Sequence, residues 1–175
     1  LQGPKKDPWV WEPNFSKDYV AEFEGARKTA VNTYLAKAEE LFQANNASEA
    51  RGVIEDMMRI YLYEDKWDTE QEKVLRTETA GKITALAKDS ALQVAESTDT
   101  ELLEDGIKTL DMALKYSPDD SEIASLRQKI EDRMIDAIIA EGREIEKGGN
   151  LNSFNEARKK YRNALRRYDN NKKLT

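Results

Sequence analysis

Ala50-Arg-Gly-Val-Ile54-Glu-Asp-Met57, Gly106-Ile-Lys-Thr-Leu110-Asp-Met-Ala113 and Ala157-Arg-Lys-Lys-Tyr161-Arg-Asn-Ala164 decide how this chain folds. Each stretch opens on a small residue, places a bulky one four positions later, and has Met57, Ala113 or Ala164 seven positions later. Four and seven are helical spacings, so the three positions share one face of a helix. The stretches recur after 56 residues (50 to 106) and again after 51 (106 to 157), each following a longer helical segment. Such a repeat of long-short helical hairpins predicts a solenoid, in which each unit buries its apolar face on its neighbours. Solenoids mostly hold other molecules and seldom perform chemistry.

The surrounding sequence fills in the units. Tyr19, Phe23, Ala26, Ala30, Tyr34, Ala38 and Leu41 recur every three or four residues and predict a first long helix from Ser16. Asn45-Asn46 ends it, and Ser48 or its neighbour is placed to cap a short helix burying Ala47, Ala50, Ile54, Met57 and Tyr61. A connector around Trp67 leads to a second long helix, about 69–96, with Leu75, Ile83, Leu86 and Val94 apolar and Thr79 and Ser90 interrupting the stripe. Its short partner presents Leu103, Ile107, Leu110, Ala113 and Leu114 and stops at Ser117-Pro118. The third long helix, about 121–147, offers Ile123, Leu126, Ile130, Met134, Ile138 and Ile145, and Gly148-Gly149-Asn150 breaks it. The last short helix shows Phe154, Ala157, Tyr161, Ala164, Leu165 and Tyr168 on one side and basic residues on the other. The expectation is an all-α protein of six helices in three stacked antiparallel hairpins, with units at about 16–64, 68–118 and 121–168 of a single domain covering 16–175.

Residues 1–15 read differently. Pro4, Pro8 and Pro13 stand beside Trp9 and Trp11, and proline biases its neighbours to extended geometry, so an extended arm is expected. Trp9 and Trp11 either fold back to cap the first helices or dock into a partner.

Composition narrows the chemistry. Charged residues make up 35% of the 175, with eight glycines and four prolines, which favours a soluble helical protein. No apolar run approaches a membrane span; the densest, from Met134 to Ala140, is broken by Asp136. The sequence carries no secretory signal and begins at Leu1 rather than Met, which allows for an N-terminal segment removed by processing or trimming. Cysteine and histidine are both absent, which removes disulfides, thiol nucleophiles, the usual general base and most zinc sites. Glu39-Glu40 falls on a polar helical face, and Asp119-Asp120 falls near a helix N-terminus, where the dipole favours acids. Lys147-Gly148-Gly149-Asn150 is too short and wrongly flanked for a phosphate loop. We expect no catalytic site, no metal, no cofactor and no small-molecule substrate.

Charge is distributed unevenly. Residues 156–175 hold eight basic side chains against Glu156 and Asp169, while the other 155 residues carry 20 basic and 32 acidic groups. An acidic body thus ends in a basic helix. Arg158, Lys159, Arg162, Arg166 and Arg167, together with Trp9 and Trp11, are the candidate partner-binding residues.

The short helices and the ends of the long ones resemble tetratricopeptide repeats. Tyr34, Ala38, Leu41, Ala50, Ile54 and Met57 match in the first unit, Gly106, Leu110, Ala113 and Pro118 in the second, and Phe154, Ala157, Tyr161 and Ala164 in the third. The resemblance covers about 100 of 175 residues and implies a curved stack of hairpins. The long helices are about twice the family's usual length, Leu62 and Asp169 replace the closing proline in units one and three, and no carboxylate clamp is recognisable. The fold is therefore implied without a ligand. Long hairpins behind a Trp-containing arm, without cysteine, are also similar to periplasmic coiling and sheath proteins of spirochaete flagella, which implies an extracytoplasmic, filament-associated place.

The expected function is that of a structural or adaptor protein binding other proteins, further copies of itself among them. The alternative is binding of anions or nucleic acid through the basic helix, which the acidic body and the apolar-stripe position of Phe154, Tyr161 and Tyr168 disfavour.

Overall fold

A computed structural model describes residues 17–62 and 70–168, with side chains from residue 21 onward. The expected arm, with Trp9 and Trp11, and the connector around Trp67 lie outside the described residues. Within them the chain forms six helices: α1 (Lys17–Gln43), α2 (Ala47–Tyr61), α3 (Glu70–Val94), α4 (Thr100–Tyr116), α5 (Ser121–Glu146) and α6 (Leu151–Arg167). Lengths of 27, 15, 25, 17, 26 and 17 residues alternate long and short, as the repeat predicts.

Turn chemistry sets the boundaries. Asn45 takes a left-handed φ of +57°, a conformation asparagine tolerates, and Asn46 caps α2 by accepting from the Glu49 amide at 3.4 Å. The cap is thus Asn46 rather than Ser48. Asp99 and Asp120 cap α4 and α5 in the same way, Asp120 accepting from the Glu122 and Ile123 amides at 3.0 Å each. Gly149 supplies a φ of +66° before Asn150, which exchanges hydrogen bonds with Ser153 to open α6.

Helices pair as α1 with α2, α3 with α4, and α5 with α6; the pairs stack through α1 on α3, α2 on α4 and α3 on α5. The turn from Ser117 to Asp120 is so short that α5 also lies directly along α4. Ala50, Gly106 and Ala157, with Ile54, Leu110, Met57, Ala113 and Ala164, are buried and Tyr161 is half-buried, so the repeat positions read from sequence line the inner face of each hairpin. Gly106 marks a close approach of α4 to α3: a Cβ there would sit 2.8 Å from the Val94 side chain.

Two apolar clusters form. Val31, Leu35, Ala38, Leu41 and Phe42 of α1 meet Ile54 and Met57 of α2, joined by Ile83 of α3 and Met112 of α4. The second cluster gathers Ala87 and Ala91, Leu103, Ile107 and Leu110, then Ile123, Ile130, Met134 and Ile135, with Ala164 and Tyr168.

Two stripes differ from expectation. On α1 the buried line runs through Val31, Leu35 and Ala38, whereas Phe23 is 60% exposed and lies under the Arg27 guanidinium. On α3, Thr79 lies within the buried line rather than interrupting it, because its hydroxyl donates to the Leu75 carbonyl at 2.6 Å and needs no other partner. Glu72 is buried in the same line, held by Arg27 at 3.4 Å and Arg76 at 3.3 Å. Leu75 and Leu86 are half-buried at its flanks.

Candidate functional site

α6 packs on α5 through a narrow arc. Ala157 and Ala164 are buried, and between them Tyr161 lies over Gly142 of α5, where any Cβ would overlap the phenol ring. Lys160 pairs with Glu141 of α5. At the far end Tyr168 is buried, and Arg167 forks onto Glu104 of α4, with Nη2 at 2.8 Å from one carboxylate oxygen and Nη1 at 3.2 Å from the other. Burial lifts the Tyr168 phenol above its ordinary pKa, although the Arg167 charge opposes the rise.

Of the five basic residues singled out on α6, Arg167 is therefore engaged within the chain. Arg158, Lys159, Arg162 and Arg166 are exposed, and among the described residues none of these four forms an ion pair. Arg158, Arg162 and Arg166 follow one another at helical spacing along a single face. Elsewhere cations are commonly matched: Arg51 with Asp105 at 2.8 Å, Lys115 with Glu55 at 3.2 Å, Lys129 with Glu96 at 2.7 Å. Against that background the α6 ladder stands out as charge without an ion-pair partner among the described residues.

Beside the ladder lie apolar residues that the sequence assigns to the core. Phe154 is 52% exposed and Leu165 47%, at the edge between the buried arc and the basic face. Among the described residues α5 covers α6 along its length and α4 meets its far end, and no other described element packs on the rest of the apolar stripe. Phe154, Arg158 and Leu165 consequently share one open face of mixed apolar and cationic character. Trp9 and Trp11, the other predicted contacts, lie outside the described residues.

The anchoring residues Glu104, Glu141 and Gly142 escape sequence reasoning. Gly142 alone left a trace, as a glycine inside an otherwise strong helix. Glu104 is strongly perturbed: hydrogen bonds from Arg167 first, and from Lys108 second, lower its pKa to about 2. Its folded pKa lies below the unfolded value, so the stabilisation is fully present above about pH 4.5 and disappears as pH falls towards about 2. Because 31% of the Glu104 side chain remains in water, screening reduces the effect to about 1 kcal/mol. Urea unfolding at pH 7 and pH 3 should show Glu104→Gln less stable than wild type at neutral pH, with the gap narrowing in acid; an unchanged gap would remove Glu104 as the tie.

Among the described residues no group of acidic side chains is arranged to hold a metal ion, and no helix is long and apolar enough to cross a membrane. Comparisons of the chain with protein-family models, curated proteins and solved structures found no match.

Proposed function

We propose that this is a non-enzymatic structural or adaptor protein, a tetratricopeptide-like stack of hairpins that works through protein–protein contacts. The observation that carries this reading is the open face of α6. Arginines without ion-pair partners among the described residues, beside an exposed phenylalanine, are residue types enriched at protein interfaces. A filament or larger complex suits a stack of hairpins with an acidic body and a basic last helix, and a periplasmic flagellar sheath is one such setting. The anion or nucleic-acid reading has less support, because Tyr161 and Tyr168 are turned into the fold and leave Phe154 as the exposed aromatic of α6.

A photo-reactive residue at position 162, introduced in cells that make the protein, should give covalent protein adducts that nuclease treatment leaves intact. Nuclease-sensitive adducts would favour the alternative, and no adduct at all would end the contact reading for this face. Position 167 is unsuitable, since changing it also breaks the tie to Glu104.

A further inference from the structure

Among the described residues the outer faces of α2 and α6 have no helix packed on them, and the repeat register indicates what each is built to meet. At the junction of the first two hairpins, Arg51 of α2 donates to the Asp105 carboxylate of α4 at 2.8 Å and to the Thr109 hydroxyl oxygen at 3.0 Å. Ala47 and Met58, four positions before and seven after Arg51 on the same face of α2, pack against the cluster that also takes in Met112 and Tyr116 of α4. Counted from Ala157 instead of Ala50, the α2 positions 47, 51 and 58 become Phe154, Arg158 and Leu165. These three make up the open face of α6. Counted from Ala50 instead of Gly106, the α4 positions 105, 112 and 116 become Glu49, Asp56 and Ile60 on the outer face of α2. All three are exposed, Ile60 to 54%.

One end therefore shows arginine with apolar neighbours, and the other shows acids with an exposed isoleucine, at the positions that already join two hairpins inside the molecule. We propose that the α6 face binds the α2 face of a second copy of this chain, head to tail, so that the stack continues from molecule to molecule. This rests on the protein-contact reading above and names its partner. Arg158 then takes the part of Arg51, and the second copy's Glu49 takes the part of Asp105. Leu165 and Phe154 receive Ile60. The Glu55–Lys115 pair is not reproduced, because its equivalents Arg162 and Arg59 are both cationic; Arg162 reaches instead for Asp56, which lies 2.6 Å from Arg59. The contact between copies is accordingly weaker than the internal junction and sensitive to salt. A contact of two different faces leaves one of each unused, so it builds chains of molecules rather than closed pairs.

The test is light scattering coupled to size exclusion on the full chain, over a concentration series in low and high salt. Wild type should gain mass with concentration and lose it in salt. Arg158→Glu alone, and Glu49→Arg alone, should each weaken association by about fivefold or more. Mixing the two variants should restore growth, because each copy then meets a neighbour of opposite charge at both ends. Failure of the mixture to recover, association of Arg158→Glu equal to wild type, or mass that stops at a dimer would each overturn the pairing. So would association that appears only with Trp9→Ala and Trp11→Ala, since the arm would then be the occupant of one face. A monomer at every concentration removes self-stacking, while cross-linking at position 162 in cells decides the broader reading independently.

Discussion

Leu110→Ala should lower the unfolding free energy by about 2–5 kcal/mol. Leu110 is completely buried at the bulky position of the middle repeat, in a cluster contributed by α3, α4, α5 and α6. Truncation removes its transfer energy and leaves a cavity that neighbours on several helices cannot all close. Leu165→Ala, by contrast, trims a side chain that is already half in water and should change stability by under about 0.5 kcal/mol. Chemical unfolding of the two variants side by side measures the difference. Equal losses would mean that the repeat positions are not the core of the hairpins.

Gly142→Ala should destabilise the protein by about 1–2 kcal/mol, although the same change in an ordinary exposed helix helps by about 1 kcal/mol. The added Cβ would fall on the Tyr161 ring, forcing it to swing outward and give up its contact with α5. A double-mutant cycle isolates this. In a Tyr161→Ala background the obstruction is gone, so Gly142→Ala should become stabilising by its helix propensity alone, about 1 kcal/mol. The reversal of sign is the critical result. If Gly142→Ala stabilises the wild-type background too, the ring does not rest where α5 has no side chain.

How much could be read beforehand depended on how each helix is enclosed. α2 and α4 were legible almost residue by residue, because each is covered on adjacent sides by apolar partners and shows a broad, regular stripe. α3 was not. Its buried line is made of Glu72, Thr79, Ile83, Ala87 and Ala91, and a carboxylate held by two arginines gives no apolar signal. On α1 two candidate stripes one residue apart compete, and Val31 and Leu35 win over Ala26 and Ala30 because they meet α2 and α3. On α6 the misreading went the other way: Phe154 and Leu165 belong to the periodic pattern, but no described helix covers them. The basic ladder was visible as composition. That Arg167 belongs to the fold, while Arg158, Arg162 and Arg166 remain available, required knowing that Glu104 lies within reach.

The middle hairpin belongs to both apolar clusters, with Ile83 and Met112 facing one and Ala87 and Leu110 the other. It therefore cannot melt without baring both, whereas either outer hairpin can peel away at the expense of one. Unfolding should begin at the ends and reach the centre last, as in other arrays held by nearest-neighbour contacts. Gaining a neighbour at an end would suppress that fraying, so molecules in a chain would resist heat and proteases better than free ones.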